Sequence, residues 1–316
     1  MGFAELPKEL LQAILNHAIS VRGMKRGLRL RLLNKRFAAE VIDTIYTYRM
    51  LDTRFAKRLY AQIPPMPPFT ASYLEYRIHN AEDGVAPYPR LGFLRKIARD
   101  VVAENESLEY DACVQLLCRL ISEGGEPRVY QVFCPALSLP TTFYEGDGDY
   151  FDTLFATAVV TNTTPIVERY MGSYRYGGFK ALFAPSEYEF YRLAARYADT
   201  ATLALFLSTR YSYRVDIRRR NEMLVAAAAV GRLSAFRLIH GSRIEEAPWD
   251  FEGREKVFDD ALGTPSLDVW HEVIRLRATY GSPSVISEDR KTKLLADCVG
   301  EGPSWDTLSG RMPQVL

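Results

Sequence analysis

Apolar residues recur at helical spacing along most of the chain. One broad stripe runs through residues 5–19, with members Leu10, Leu11, Ile14, Leu15 and Ala18. Pro7 precedes the stripe and suits the first helical position, where its missing N–H costs nothing. Alternation of apolar and polar residues over five or more positions hardly occurs, so strand signals are scarce. The pattern predicts an all-α fold.

A second apolar stripe is expected after a basic loop, Ser20–Gly27, that Gly23 and Gly27 flank. Its members are Leu30, Leu33, Phe37, Val41 and Ile45, with Leu32 and Ile42 widening it. About fifty residues of helix make only a small core on their own. The pattern therefore predicts an N-terminal helical module, residues 1–60, with an apolar surface available to bind a partner.

The next segment is rich in proline: six of the 17 prolines lie between residues 61 and 91. Each proline lacks an N–H and restricts its predecessor to extended geometry, so no continuous helix is expected there. Residues 61–91 are interpreted as a Pro-rich connector. Its aromatic residues Phe69, Tyr73 and Tyr76 are expected to pack against another element.

Residues 92–316 contain an internal repeat. In four segments a small residue starts a helix, a turn follows four residues later, and a second apolar helix begins. The turns lie at Asn162, Ala198, Gly231 and Pro265, spaced 36, 33 and 34 residues apart, with a weaker fifth turn at Gly300 and an eroded copy over residues 108–133 that turns at Gly124. This spacing predicts stacked helical hairpins. The alternative is an irregular helical bundle with coincidental hairpins.

The third segment matches a known repeat best, through Ala227, Ala228, Gly231, Leu233, Phe236 and Leu238. It resembles the ankyrin repeat, whose period is 33 and whose core is A-A-x-x-G-H-x-E-I-V-x-x-L-L. The resemblance covers roughly residues 150–308. No copy has the T-P-L-H opening, and only one strong copy has Gly at the turn. The resemblance implies a degenerate ankyrin-like solenoid over residues 92–316.

The N-terminal module, L-P-x-E-L-L-x-x-I-L followed by a loop and L-R-L-x-N-K-R-F, resembles an F-box of the variant that precedes ankyrin repeats in many filamentous-fungal proteins. The resemblance implies docking on the Skp-type linker subunit of a cullin–RING ubiquitin ligase, while the rest of the chain holds a protein substrate. The positions carried over as linker-binding are Leu6, Pro7, Leu10, Leu11, Ile14, Leu15, Leu30, Leu33 and Phe37. Two alternatives are a helical cap on the repeats and an ankyrin-repeat scaffold with no ubiquitin-ligase role.

Overall charge indicates no broad affinity for nucleic acid or anionic membranes, because 40 Lys and Arg nearly balance 39 Asp and Glu in 316 residues. A local exception is a basic cluster with no acidic residue from position 20 to 39: Arg22, Lys25, Arg26, Arg29, Arg31, Lys35 and Arg36. It could be a nuclear-localisation or nucleic-acid patch. The interleaved residues are aliphatic and not stacking aromatics, which favours a solvated face or a surface for an acidic partner.

Catalytic and metal-binding motifs are absent from the sequence. The four cysteines form no CxxC pair, and the four histidines have no metal-ligand spacing. No phosphate-binding or nucleophile-elbow motif occurs. The longest apolar stretch, Met223–Gly231, is about half a membrane span. We therefore expect a cytoplasmic or nuclear, non-catalytic protein with no cofactor, metal, small-molecule substrate or membrane partner.

Candidate substrate-binding residues lie where loops between repeats would project. The segments are 172–187, 209–220 and 241–253, and the residues are Tyr174, Tyr176, Tyr211, Tyr213, Arg214, Trp249 and Phe251. Tyr, Trp and Arg are the usual anchors of protein interfaces. The alternative is that these aromatic side chains pack back onto their own repeats.

Overall fold

The computed structural model describes residues 6–52, 67–81, 88–124, 126–133, 148–171, 181–184, 187–207, 217–242 and 251–280. Within these ranges the secondary structure is helical, apart from an isolated bridge between Ala181 and Ala184. The all-α prediction is confirmed. Contacts divide the chain into one unit of Met1–Thr157 with Phe179–Pro185 and a second of Ala158–Gly178 with Ser186–Leu316.

The first unit begins with helices α1 (Lys8–Arg22), α2 (Met24–Arg29) and α3 (Lys35–Thr47), and a 3₁₀ turn, Leu30–Leu32, lies between α2 and α3. Gly23 ends α1 with a φ of 85°, a conformation that favours glycine. The predicted loop between Gly23 and Gly27 is wrong, because α2 starts at once and buries Met24 and Gly27. A Cβ on Gly27 would lie 2.6 Å from Ile19 Cγ1, so glycine lets α2 approach α1 closely.

The second apolar stripe is interrupted at Asn34. The Asn34 side chain caps α3 by accepting a hydrogen bond of 2.9 Å from the Phe37 N–H. Val41 and Ile45 on α3 are buried as predicted, whereas Leu33, before the cap, is 64% exposed. Leu30 and Leu33 therefore do not continue the helical face of α3, because the cap starts a new helix after them.

The predicted connector contains helix α4 (Pro67–His79). Its first two residues are prolines, which the first turn tolerates because its N–H groups need no helical partner. The Tyr46 ring on α3 meets Phe69, Tyr73 and Tyr76 at centroid distances of 6.1, 5.4 and 5.2 Å. The expectation that these aromatic residues pack against another element is confirmed.

A buried ionic network fastens the end of the N-terminal helices to α4. Asp52 accepts hydrogen bonds from the Tyr73 hydroxyl at 2.6 Å and from Arg77 Nε at 3.1 Å. The second Asp52 oxygen lies 2.8 Å from an Arg77 guanidinium nitrogen, and all three side chains are buried. Burial raises the pKa of Tyr73, so the phenol stays protonated and donates. Removing one member of such a network costs about 3–5 kcal/mol.

Helices α5 (Pro89–Ala103), α6 (Tyr110–Glu123) and α7 (Glu126–Phe133) complete the helical core of the first unit with the start of α8 (Gly148–Val160). Helix α6 packs on α4 and α5, and α7 packs on α5 and α6. The turn at Gly124 lies between α6 and α7, as the eroded repeat predicts.

The hairpins of the repeat turn at the predicted residues. The end of α8 turns at Asn162 into α9 (Thr164–Met171), and α10 (Glu187–Tyr197) turns at Ala198 into α11 (Thr200–Leu207). The next two pairs, which turn at Gly231 and Pro265, are α12 (Ile217–Ala229) with α13 (Leu233–Gly241) and α14 (Phe251–Ala261) with α15 (Leu267–Thr279). All four predicted turn positions are confirmed; the fifth, at Gly300, lies outside the described residues.

Successive hairpins of the second unit stack in register. Helix α12 packs against both α10 and α14, and the second helices contact each other in the order α9, α11, α13, α15. Small residues permit this approach, since Ala194, Ala195, Ala227 and Ala228 are fully buried on the first helices. The three hairpins from α10 to α15 are therefore in contact through both their first and their second helices.

Candidate partner-binding surface

Helix α1 is held against α3 by polar contacts along one side. Lys8 Nζ lies 2.5 Å from Asp43 Oδ2, and Gln12 Nε2 donates to the same oxygen at 2.9 Å and to Glu40 Oε2 at 3.2 Å. The bonding and charge of Asp43 raise the pKa of Lys8, which keeps the ammonium charged. These contacts link the Lys8 and Gln12 side of α1 to α3.

A second face of α1 packs into the apolar core of the module. Leu11, Leu15 and Ile19 lie one turn apart and are 0–2% exposed. Leu11 and Leu15 therefore cannot touch a partner while the module is folded, although the F-box resemblance carries both over as linker-binding. In this structure their side chains help to hold α1 in place.

An apolar surface without a described covering element occupies the outer side of α1. We define it as the N-terminal patch: Pro7, Leu10, Ile14 and Val21. Leu10 is 49%, Ile14 38% and Val21 70% exposed, and Pro7 is also exposed. At 100° per residue these side chains point to the side away from Lys8 and Gln12. Leu10 and Val21 are about 16 Å apart along the helix axis, at 1.5 Å per residue.

The predicted linker-binding residues thus fall into three groups. Pro7, Leu10 and Ile14 lie in the N-terminal patch, and Leu33 is exposed shortly before α3. Leu6, Leu30 and Phe37 are half-buried, and Leu11 and Leu15 are buried. The sequence argument missed Val21 as a surface residue and placed Leu32, which is 84% exposed, on a helical stripe. The available signal for Val21 was its position seven residues after Ile14, on the same helical face.

Positive charge begins where the patch ends. We define the basic segment as residues 20–39, which contain seven Lys or Arg and no Asp or Glu. Arg22, Lys25, Arg26, Arg29 and Lys35 are exposed. Arg36 is used internally, because its guanidinium donates to the Leu6 carbonyl. The basic segment therefore contains both exposed cations and, at Leu32 and Leu33, exposed aliphatic side chains.

The predicted substrate-binding residues are not tested by the structure. Tyr174, Tyr176, Tyr211, Tyr213, Arg214 and Trp249 lie outside the described residues, and the side chain of Phe251, the first residue of α14, is likewise outside them. These positions stay predictions.

The described residues contain no grouping that suggests catalysis by a metal. No three His, Cys, Asp or Glu side chains in the described ranges are arranged to hold a metal ion. Cys113 and Cys118 are buried free thiols, and burial raises the pKa of Cys113 to about 12. Burial, with the nearby Arg220 charge, lowers the pKa of His240. None of the described helices combines the length and the apolar character that a membrane crossing requires.

A small cavity in the first unit is lined by Arg90, Phe93, Ile97, Thr153 and Leu182. Its volume of about 10 Å³ is enough for one water molecule and too small for an organic substrate. Of the features that the structure describes, the N-terminal patch and the basic segment are the ones suited to binding a macromolecule.

Comparisons of the chain with protein-family models, with curated proteins and with solved structures found no match.

Proposed function

We propose that the protein is a non-catalytic adaptor, the substrate-receptor subunit of a cullin–RING ubiquitin ligase acting in the cytoplasm or nucleus. Its F-box-like module docks a Skp-type linker, and its degenerate ankyrin-like repeats bind a protein substrate. The exposure of Leu10 and Ile14 on a helix whose opposite side is held by Lys8, Gln12 and α3 carries the proposal. A large aliphatic pair exposed on a helix that packs against the rest of the module is a surface suited to a protein partner.

The stacked hairpins support the second half of the proposal. Their turns recur every 33 to 36 residues, and buried alanines separate adjacent first helices. Both features are expected of an ankyrin-like array, in which each hairpin contacts its neighbours and the connecting segments between hairpins project for recognition. The proposed substrate-contacting residues lie between the hairpins in the sequence, except Phe251, which is the first residue of α14.

Co-purification with a purified Skp-type linker tests the docking. We expect the full chain to form a complex that survives gel filtration, and Leu10→Asp/Ile14→Asp to weaken the complex by about a hundredfold or more, because two charges would be buried at an apolar contact. The matched control is Val230→Asp/Leu267→Asp, which changes two aliphatic residues of similar exposure, 40% and 44%, in the second unit. Circular dichroism checks that both variants keep their helicity.

The alternative is an ankyrin-repeat scaffold with no ubiquitin-ligase role, which the stacked hairpins of the second unit favour equally. The two functions differ in the first unit alone. Absence of a wild-type complex with the linker would reject the adaptor and leave the scaffold. A complex that Leu10→Asp/Ile14→Asp does not affect would reject the N-terminal patch as the docking site.

A further inference from the structure

We infer that the N-terminal patch and the basic segment together form one docking surface for an acidic amphipathic helix of a protein partner. The inference rests on the proposed function for the location of the site. It adds to that function the chemistry of the partner's docking element. It makes no use of the linker's identity. Three features of the described residues carry it: the charge of the segment, its aliphatic residues, and the direction in which charge changes along α1.

The charge of the basic segment is local. Residues 20–39 contain seven of the 40 basic residues and none of the 39 acidic ones, so the remainder of the chain has 33 basic against 39 acidic residues and a net charge of −6. A partner would therefore be attracted to this segment and not to the protein as a whole. Oriented charge of this kind accelerates encounter and selects for a partner of opposite sign.

The exposed aliphatic residues of α1 define the length of the proposed docking surface and the spacing of its apolar contacts. Leu10, Ile14 and Val21 extend over about three helical turns, and Val21 directly precedes Arg22. Val21 is 70% exposed, and the exposed Leu32 and Leu33 lie among the cations of the basic segment in the sequence. A helix with apolar residues at i, i+4 and i+7 and acidic residues between them presents the complementary pattern.

Charge along α1 favours a protein helix over an anionic lipid surface. Exposed Glu9 lies at the N-terminal end of the N-terminal patch, and Lys8 at that end forms an ion pair with Asp43. The exposed cations Arg22, Lys25, Arg26 and Arg29 follow Val21 in the chain. A membrane presents uniform negative charge and would be repelled at the Glu9 end, whereas a partner helix can place its acidic residues over the basic segment alone. Nucleic acid is disfavoured because the exposed residues between the cations are aliphatic.

Two synthetic peptides test the inference on the full chain. Both are helices with Leu at i, i+4 and i+7; one carries Glu at the remaining positions and the other carries Lys. At low ionic strength we expect the Glu peptide to bind at least about tenfold more tightly, measured by fluorescence anisotropy, with the difference decreasing as salt is added. Sedimentation with vesicles of phosphatidylcholine and phosphatidylserine is measured in parallel.

Two double variants locate the interaction. Lys25→Glu/Arg26→Glu should abolish the preference for the Glu peptide, because both cations are exposed in the basic segment. Arg196→Glu/Lys256→Glu changes the net charge equally at exposed positions of the second unit and should retain the preference. Loss of the preference in both variants would show that net charge alone is responsible and would overturn the assignment to this surface.

The remaining outcomes separate this inference from the proposed function. Equal binding of the two peptides, or binding of neither, overturns the inference, even if the Skp-type linker binds. Sedimentation with the anionic vesicles without peptide binding overturns it in favour of a lipid surface. A clear preference for the Glu peptide without a linker complex supports the inference and rejects the ubiquitin-ligase role.

Discussion

The side-chain oxygen of Asn162 accepts a hydrogen bond of 2.6 Å from the backbone N–H of Asp199, 37 residues later and in the turn of the next hairpin. Asn162 has a φ of 57°, in the left-handed region that Asn tolerates better than most residues. Asp199 in turn caps α11 by accepting from the Thr202 N–H at 2.7 Å. The backbone of Asn162 thus forms its own turn, while its side chain bonds to the start of the following second helix.

Asn162→Ala should lower the free energy of unfolding of the second unit by about 2–3 kcal/mol. The loss combines one hydrogen bond, about 1 kcal/mol, with the left-handed backbone that alanine disfavours by about 1–2 kcal/mol. Asn162→Gly loses the hydrogen bond but accepts the backbone, so it should be the milder change. Urea unfolding followed by circular dichroism compares the two. Alanine as mild as glycine would contradict the backbone part of the argument.

Gly231→Ala should destabilise the third hairpin by about 1–3 kcal/mol. Gly231 has a φ of 72°, and a Cβ there would lie 2.9 Å from Ser266 Cβ in the next hairpin. Gly241→Ala is the matched control. Its added Cβ would meet nothing within 4 Å, and alanine favours the helical conformation, so this variant should be neutral or slightly stabilising. Thermal unfolding of both variants measures the difference; equal effects would exclude the close approach as the cause.

Leu11→Ala should destabilise the N-terminal module by about 2–5 kcal/mol, the usual cost of a cavity at a fully buried leucine. Leu10→Ala, one residue earlier, removes a side chain that is half exposed and should cost less than about 1 kcal/mol. Chemical denaturation is the measurement, and linker binding of the folded variants is the second readout. If Leu10→Ala proves as destabilising as Leu11→Ala, the N-terminal patch is part of the core and not a surface.

The contacts of Glu272 predict that the stability of the folded protein decreases at acid pH. Its carboxylate accepts from Arg275 at 2.6 Å and from Arg237 at 3.0 Å, and these contacts lower its pKa from 4.5 to about 2. A depressed carboxyl pKa contributes stability that is complete above the ordinary value of 4.5 and is lost as the pH falls from there to about 2.

Glu272→Gln should therefore cost about 1–2 kcal/mol near pH 7, a figure reduced because both arginines are mostly exposed, and should flatten the stability profile between about pH 4.5 and 2. Glu168→Gln, at an exposed position of α9, is the control. Urea midpoints measured from pH 7 to 2 provide the comparison. An unchanged profile in Glu272→Gln would show that the two arginine contacts contribute nothing to acid stability.

Cys113 and Cys118 should resist thiol reagents in the native state. Both are buried, and burial raises the pKa of each thiol, for Cys113 to about 12, so very little reactive thiolate exists near neutral pH. In a Cys134→Ser/Cys298→Ser background, Ellman's reagent should label neither thiol until denaturant is added, and then label both. Rapid labelling of the folded chain would show that helix α6 opens readily.

The sequence alone determined where the hairpins turn. A turn residue such as Gly231 acts within its own few residues, and helical periodicity is likewise local, so both could be recognised without knowledge of the neighbours. The hydrogen bonds and ion pairs between hairpins could not be predicted in this way. Nothing in the sequence pairs Asn162 with Asp199 or Glu272 with Arg237, because these contacts depend on how adjacent hairpins stack.

The tertiary structure decided which residues of the first apolar stripe remain available to a partner. Leu10, Leu11, Ile14 and Leu15 are equivalent in a periodic pattern, but α2 and α3 cover only one side of α1, and their positions depend on the cap at Asn34 and on the close approach at Gly27. Leu11 and Leu15 are therefore core residues, while Leu10 and Ile14 are surface residues. Periodicity measures how wide an apolar face is, whereas its coverage depends on helices placed from other parts of the chain.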